Sequence, residues 1–129
     1  MPSPEQAASW LASVPDDKLF YLHMGPPLHD LRQLADALES APPAIFRHHV
    51  NSKRNDFSAW VRDVIGDHEL AEKLLKTTSQ KKAVRAVRAR IKMLEAAAAS
   101  DPLRAGAPDF LIGMIVGVIA GVIIAAIVG

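Results

Sequence analysis

The sequence predicts an all-α protein: a small multi-helix soluble domain followed by a single C-terminal transmembrane helix. Three observations carry this expectation. No stretch sustains the apolar–polar alternation of a half-buried strand. Segment after segment instead places apolar residues three and four positions apart, behind residues suited to cap a helix. The last 20 residues, Phe110–Gly129, carry no charged side chain.

Taken in order, Ser3-Pro4-Glu5-Gln6 predicts a helix start, with Ser3 as cap, Pro4 at the first helical position and Gln6 completing a capping box. That helix is expected to run to about Val14 and to bury Trp10, Leu11 and Val14, before Pro15-Asp16-Asp17 breaks it. The apolar run from Lys18 to Gly25 fits either a short extended piece or a helical turn ahead of Gly25-Pro26-Pro27. Asp30 is expected to cap a helix burying Leu31, Leu34, Ala35 and Leu38. Pro42-Pro43 ends it, and Pro43 begins a short helix carrying Ile45, Phe46 and Val50.

After a polar connector at residues 51–54, Asn55-Asp56 caps a helix with Phe57, Trp60, Val61, Val64 and Ile65 inward. Gly66 is the expected glycine just past its end, and Asp67 caps a helix with Leu70, Ala71, Leu74 and Leu75. Ser79 begins a long helix whose inner positions are Val84, Val87, Ile91 and Leu94. Alanines extend it to about Ser100, and Pro102, Gly106 and Pro108 forbid a rigid continuation. The expected organisation is therefore a helical domain over 1–94, an Ala/Pro/Gly linker over 95–109 and a membrane anchor over 110–129.

Charge is divided along the chain. Residues 1–72 hold 11 acidic and 6 Lys/Arg residues, whereas residues 73–109 hold 9 Lys/Arg and 3 acids, so the net +1 conceals an acidic region and a basic neck. The absence of cysteine excludes disulfides and thiolate chemistry. The N-terminus lacks the early cations and apolar core of a secretory signal.

A 20-residue helix at 1.5 Å per residue spans about 30 Å, the thickness of a bilayer's hydrocarbon core. A core helix of so small a domain needs a polar stripe, and Phe110–Gly129 has none. Gly113, Gly117, Gly121 and Ala125 recur every four residues, predicting a shallow face for pairing with itself or with another membrane helix. The Lys/Arg excess lies just ahead of the anchor, which orients the domain toward the cytoplasm as a single-pass, tail-anchored protein.

Between Lys73 and Leu94 there are eight Lys/Arg residues and no acid. Lys81, Arg85, Arg88 and Lys92 form one stripe, about 110° from the apolar face on a helical wheel. Such a ridge suits anionic lipid headgroups, nucleic acid or an acidic protein surface. Its place before an anchor favours lipid, and the lack of interleaved aromatics disfavours nucleic acid.

His23, His29, His48, His49 and His68 raise a metal hypothesis, but no His/carboxylate pattern of zinc-site spacing is present. Asn55, Asp56 and Asp67 precede apolar helical runs and read as caps rather than as general bases. Phosphate-binding loops, dinucleotide-binding glycine patterns and nucleophile elbows are missing, so no catalytic residue and no cofactor is expected.

Residues 18–92, and above all the blocks "FYLHMG", "LRQLADAL", "FRHHV" and "NDFSAWVRDVIGDHELAEKL", resemble an uncharacterised family of small helical domains found in archaea and bacteria. The resemblance implies an all-α fold and no established activity, substrate or cofactor. If the family shares a surface, the positions to examine are Phe46, His49, Asn55, Asp56, Phe57, Trp60 and Asp67, which taken one by one read as caps and core. The leading expectation is a non-enzymatic, membrane-tethered helical adaptor or assembly domain. The alternatives are a membrane-anchored metal-dependent hydrolase using His23, His48, His49 and His68, and a membrane-tethered nucleic-acid binder using the 81–92 helix.

Overall fold

The computed structural model describes residues 2–100. The expected linker beyond Ser100 and the expected anchor, with Gly113, Gly117, Gly121 and Ala125, lie outside the described residues. Among the described residues no helix is long and apolar enough to cross a membrane.

Six α-helices dominate the described residues: α1 (Pro4–Leu11), α2 (Leu31–Ser40), α3 (Pro43–His49), α4 (Asp56–Trp60), α5 (His68–Leu75) and α6 (Gln80–Ala99). One compact unit takes in residues 6–95, and a second groups Ser3–Glu5 with residues 96–100. The functional geometry described below belongs to the first.

The chain is not purely helical. Phe20–Tyr21 (β1) pairs antiparallel with Pro27–Leu28 (β2), in the register Phe20 to Leu28 and Tyr21 to Pro27. This hairpin resolves the ambiguous Lys18–Gly25 run as extended and adds one two-residue-per-strand ribbon to a mostly helical fold. Met24 takes a positive φ of 57° in the turn, a conformation that costs a non-glycine residue free energy. One correction concerns α1, which stops at Leu11 rather than Val14. Val14 instead donates its backbone N–H to His29 O at 2.8 Å, fastening the segment ahead of the hairpin to the segment behind it.

The caps follow the sequence closely because each satisfies an amide that helix geometry leaves unpaired. Asp30 accepts the Gln33 N–H at 2.8 Å, Asn55 accepts that of Ser58 at 3.0 Å, and Asp67 accepts that of Leu70 at 3.2 Å. Pro43 opens α3. After α4 the backbone widens into a π turn, Val61–Ile65, which ends where Gly66 donates to Val61 O at 2.8 Å. Gly66 has φ +94°, and an added Cβ would lie 3.4 Å from the Trp10 indole nitrogen. The positive φ favours glycine here, whereas the indole leaves room for a Cβ at ordinary contact distance.

The core joins Leu31, Leu34, Ala35 and Leu38 of α2 with Phe46, Phe57, Trp60, Val61, Ile65, Leu70, Ala71 and Leu74. From α6 it receives Ala83, Val87, Ile91 and Leu94. Val64 and Val84 are only half-buried, and Leu75 is 56% exposed. Helices α2 and α6 run antiparallel. Gln80 donates to Leu38 O and Ala41 O, both at 2.8 Å, Arg88 meets Asp36 and Glu39, and Glu95 accepts from Arg32 at 2.8 Å.

Candidate functional site

Polar chemistry gathers in two places inside residues 6–95. The first lies where the hairpin meets the turn between α3 and α4. The last turn of α3 supplies His48 and His49, the start of α4 supplies Asp56, and the chain after β1 supplies His23. His49 is buried, with Phe20 and Phe57 packed against its ring at centroid distances of 5.0 and 5.1 Å. Its Nδ1 lies 2.9 Å from Asp56 Oδ2. Its Nε2 accepts the backbone N–H of His23 at 2.9 Å.

These two bonds settle the tautomer. An Nε2 that accepts an N–H carries no hydrogen, so Nδ1 holds the proton and donates it to Asp56. A His–Asp pair with its imidazole buried is the arrangement that orients a general base, but a base needs a free nitrogen facing a substrate. In His49 the outward nitrogen is already committed to His23. The pair therefore works as a brace that holds the hairpin against α3 and α4. Asp56 also faces Arg54 Nε at 3.3 Å, and Arg54 donates to His48 O at 2.7 Å, closing the connector between α3 and α4.

His48 stacks on His23, with ring centroids 3.7 Å apart and planes within 9°. Desolvation, then the neighbouring His23, His49 and Arg54, lower the His48 pKa from 6.5, while Asp56 acts in the opposite sense. His68 begins α5 and does not join this group. Among the described residues no three His, Asp or Glu side chains converge in a way that would hold a metal ion.

The second centre is an ion pair inside the fold. Arg90 donates to Asp67 through Nε at 2.7 Å and through Nη2 at 2.8 Å, a two-pronged contact with the arginine side chain 4% exposed and the aspartate 0%. Arg90 also stands 5.8 Å above the Trp10 ring and 3.3 Å from Glu69. Asp67 thus caps α5 and neutralises a cation of α6 with the same carboxylate.

The remaining sequence-selected positions divide in the same way. Asn55 caps α4 and donates its side-chain amide to Leu74 O at 2.9 Å. Trp60 is buried and donates its indole N–H to Lys18 O at 2.8 Å, a second tie between α4 and the hairpin approach. Of the basic stripe, Arg88 is engaged by Asp36 and Glu39 of α2. Lys81, Arg85 and Lys92 are exposed, with no carboxylate partner among the described residues. The four side chains that sequence aligned on one face are thus brought together as a row of three open cations interrupted by a neutralised one.

Two contributors escaped the sequence reading. Arg90 sits in a basic run and reads as surface, although it lies three residues after Val87 and four before Leu94, on the inner face of the helix. Ser58 carries no signal beyond its place in an amphipathic stretch, yet its buried hydroxyl donates to Ala71 O at 2.7 Å and links α4 to α5.

No curated protein and no solved structure matches the chain. A model of a family of unknown function, DUF5752, matches residues 14–106, a span that holds the hairpin, the His49–Asp56 brace and the Asp67–Arg90 pair. The chain belongs to that family.

Proposed function

We propose that this protein is a non-enzymatic adaptor or assembly domain tethered to the membrane by its C-terminal segment. The observation that carries the reading is the charge-free stretch Phe110–Gly129 placed shortly after a helix with unneutralised cations. Lys81, Arg85 and Lys92 face anionic headgroups, each contributing about 1 kcal/mol near such a surface, while Gly113, Gly117, Gly121 and Ala125 supply a face for close helix pairing. The use of Asn55, Asp56, Trp60 and Asp67 as caps, braces and anchors supports a scaffold whose polar residues hold its own shape.

The test is fractionation of cells expressing the full chain, followed by an alkaline wash of the membranes. The expected result is retention in the pellet and release by detergent. Recovery in the supernatant before any detergent is added overturns the reading. A Gly117→Ile/Gly121→Ile variant is expected to stay in the pellet and to lose self-association in a membrane-helix reporter assay.

A further inference from the structure

The turn between α5 and α6 bears chemistry that neither polar centre uses. Lys76 closes α5, and Thr77, Thr78 and Ser79 lead into the 20-residue α6. A depression of about 330 Å³ opens there, lined by Lys73, Lys76, Thr77, Thr78, Ser79 and Lys82. Every lining side chain ends in an ammonium or a hydroxyl, and none carries a negative charge.

Lys73 and Lys82 have no carboxylate partner among the described residues, and Lys76 has only an exposed contact with Glu72 at 3.7 Å, a weak restraint. The Ser79 Oγ accepts the Lys82 N–H at 3.3 Å, so its own hydrogen stays available to donate. The positive end of the α6 dipole adds to the field. One further observation points to a missing acceptor. Among the described residues, Thr77 Oγ1 is the buried side-chain oxygen or nitrogen that has no hydrogen-bond partner, a state that costs free energy and that an incoming oxygen would relieve. Thr77 and Thr78 also line a smaller hollow of about 130 Å³ that has Lys53 and Arg54 on its wall, so cations flank this turn on both sides.

We propose that the α5–α6 turn is a binding site for a phosphomonoester group. Lys73, Lys76 and Lys82 neutralise its negative charge, which approaches two units near neutral pH. Thr78 and Ser79 donate hydroxyl hydrogens to its oxygens, and Thr77, whose Oγ1 is sealed from solvent, joins them by turning its side chain toward the ligand. A carboxylate, with a single charge and two oxygens, leaves part of this donor set unused. The group can come from soluble phosphate or from the headgroup of phosphatidic acid, and the site does not depend on the terminal segment entering a membrane.

The test is a nuclear magnetic resonance titration of the full chain in zwitterionic detergent, following the Thr77–Lys82 amides. Sodium phosphate is compared with sodium chloride at equal ionic strength. Saturable shifts with phosphate alone are expected. Lys73→Glu/Lys82→Glu should weaken them at least about tenfold, as loss of charge-assisted contacts implies. Thr77→Val should weaken them without lowering the melting temperature, because it also removes an unpaired buried hydroxyl. Lys81→Glu/Arg85→Glu, outside the depression, should leave phosphate affinity within about twofold.

A parallel arm uses phosphatidylcholine vesicles containing phosphatidic acid or phosphatidylserine. A response to inorganic phosphate without preference between the two lipids assigns the site to a soluble ligand, and a preference for phosphatidic acid assigns it to lipid. The proposal is overturned if phosphate acts no differently from chloride and the two lipids act alike. It is equally overturned if, in the titration with free phosphate, the Lys81/Arg85 variant loses as much affinity as the Lys73/Lys82 variant, since only a diffuse field would then be present.

Discussion

Arg88 and Arg90 stand two residues apart on α6, and both meet carboxylates from other parts of the chain. Their surroundings differ sharply. Arg90 and Asp67 are sealed from water at 4% and 0% exposure, whereas Arg88 is 44% exposed against Asp36 at 73% and Glu39 at 61%. The chemistry is the same, and water decides its weight. Around Asp67 and Arg90 each charge depends on the other, because solvent cannot replace a lost partner. Along the α2–α6 seam, solvent and salt substitute readily.

The largest effect is expected from Arg90→Leu. It leaves Asp67 buried and unneutralised and should cost about 3–5 kcal/mol, read as a lowered urea midpoint of the full chain in neutral detergent. A loss below about 1 kcal/mol would erase the distinction between the two regions. Arg88→Ala should cost less than about 1 kcal/mol and less still in high salt. A loss matching that of Arg90→Leu in the same titration would show that the seam behaves as interior.

The smallest effect concerns His48. Its pKa is lowered on folding, so the unfolded chain takes up the proton more readily. Stability is therefore unaffected well above 6.5 and declines as pH falls through that value, until the folded ring is protonated as well. Because the ring is exposed, the loss is slight. Stability compared at about pH 7.5 and about pH 5.5 should differ less in His48→Gln than in the parent chain. An unchanged difference would assign the acid sensitivity to other groups.

Much of the fold was legible because capping is local. Asp30, Asn55 and Asp67 each sit three residues before the amide they satisfy, and Gly66 marks its helix end by a backbone conformation that side chains resist. The hairpin was not legible as strand, since two residues per strand are too few to display an alternating pattern. The π turn was equally hidden, because widening one turn leaves the apolar spacing nearly intact.

At the candidate sites the limit was distance along the chain. The inward position of Arg90 follows from helical spacing, but its partner lies 23 residues away. His49 likewise meets His23 across 26 residues, and no local rule connects them. The Lys73–Lys82 depression was partly visible as a run of cations. What the sequence could not show was that three of them line one depression with Thr77, whose hydroxyl is left without a partner.

The two tryptophans give each part of this architecture its own optical reporter. Trp60, bonded to Lys18 O, changes surroundings when the hairpin lifts away, and Trp10, beneath Arg90, changes when the interior charge pair opens. Fluorescence from single-tryptophan versions of the chain would therefore time the two openings separately.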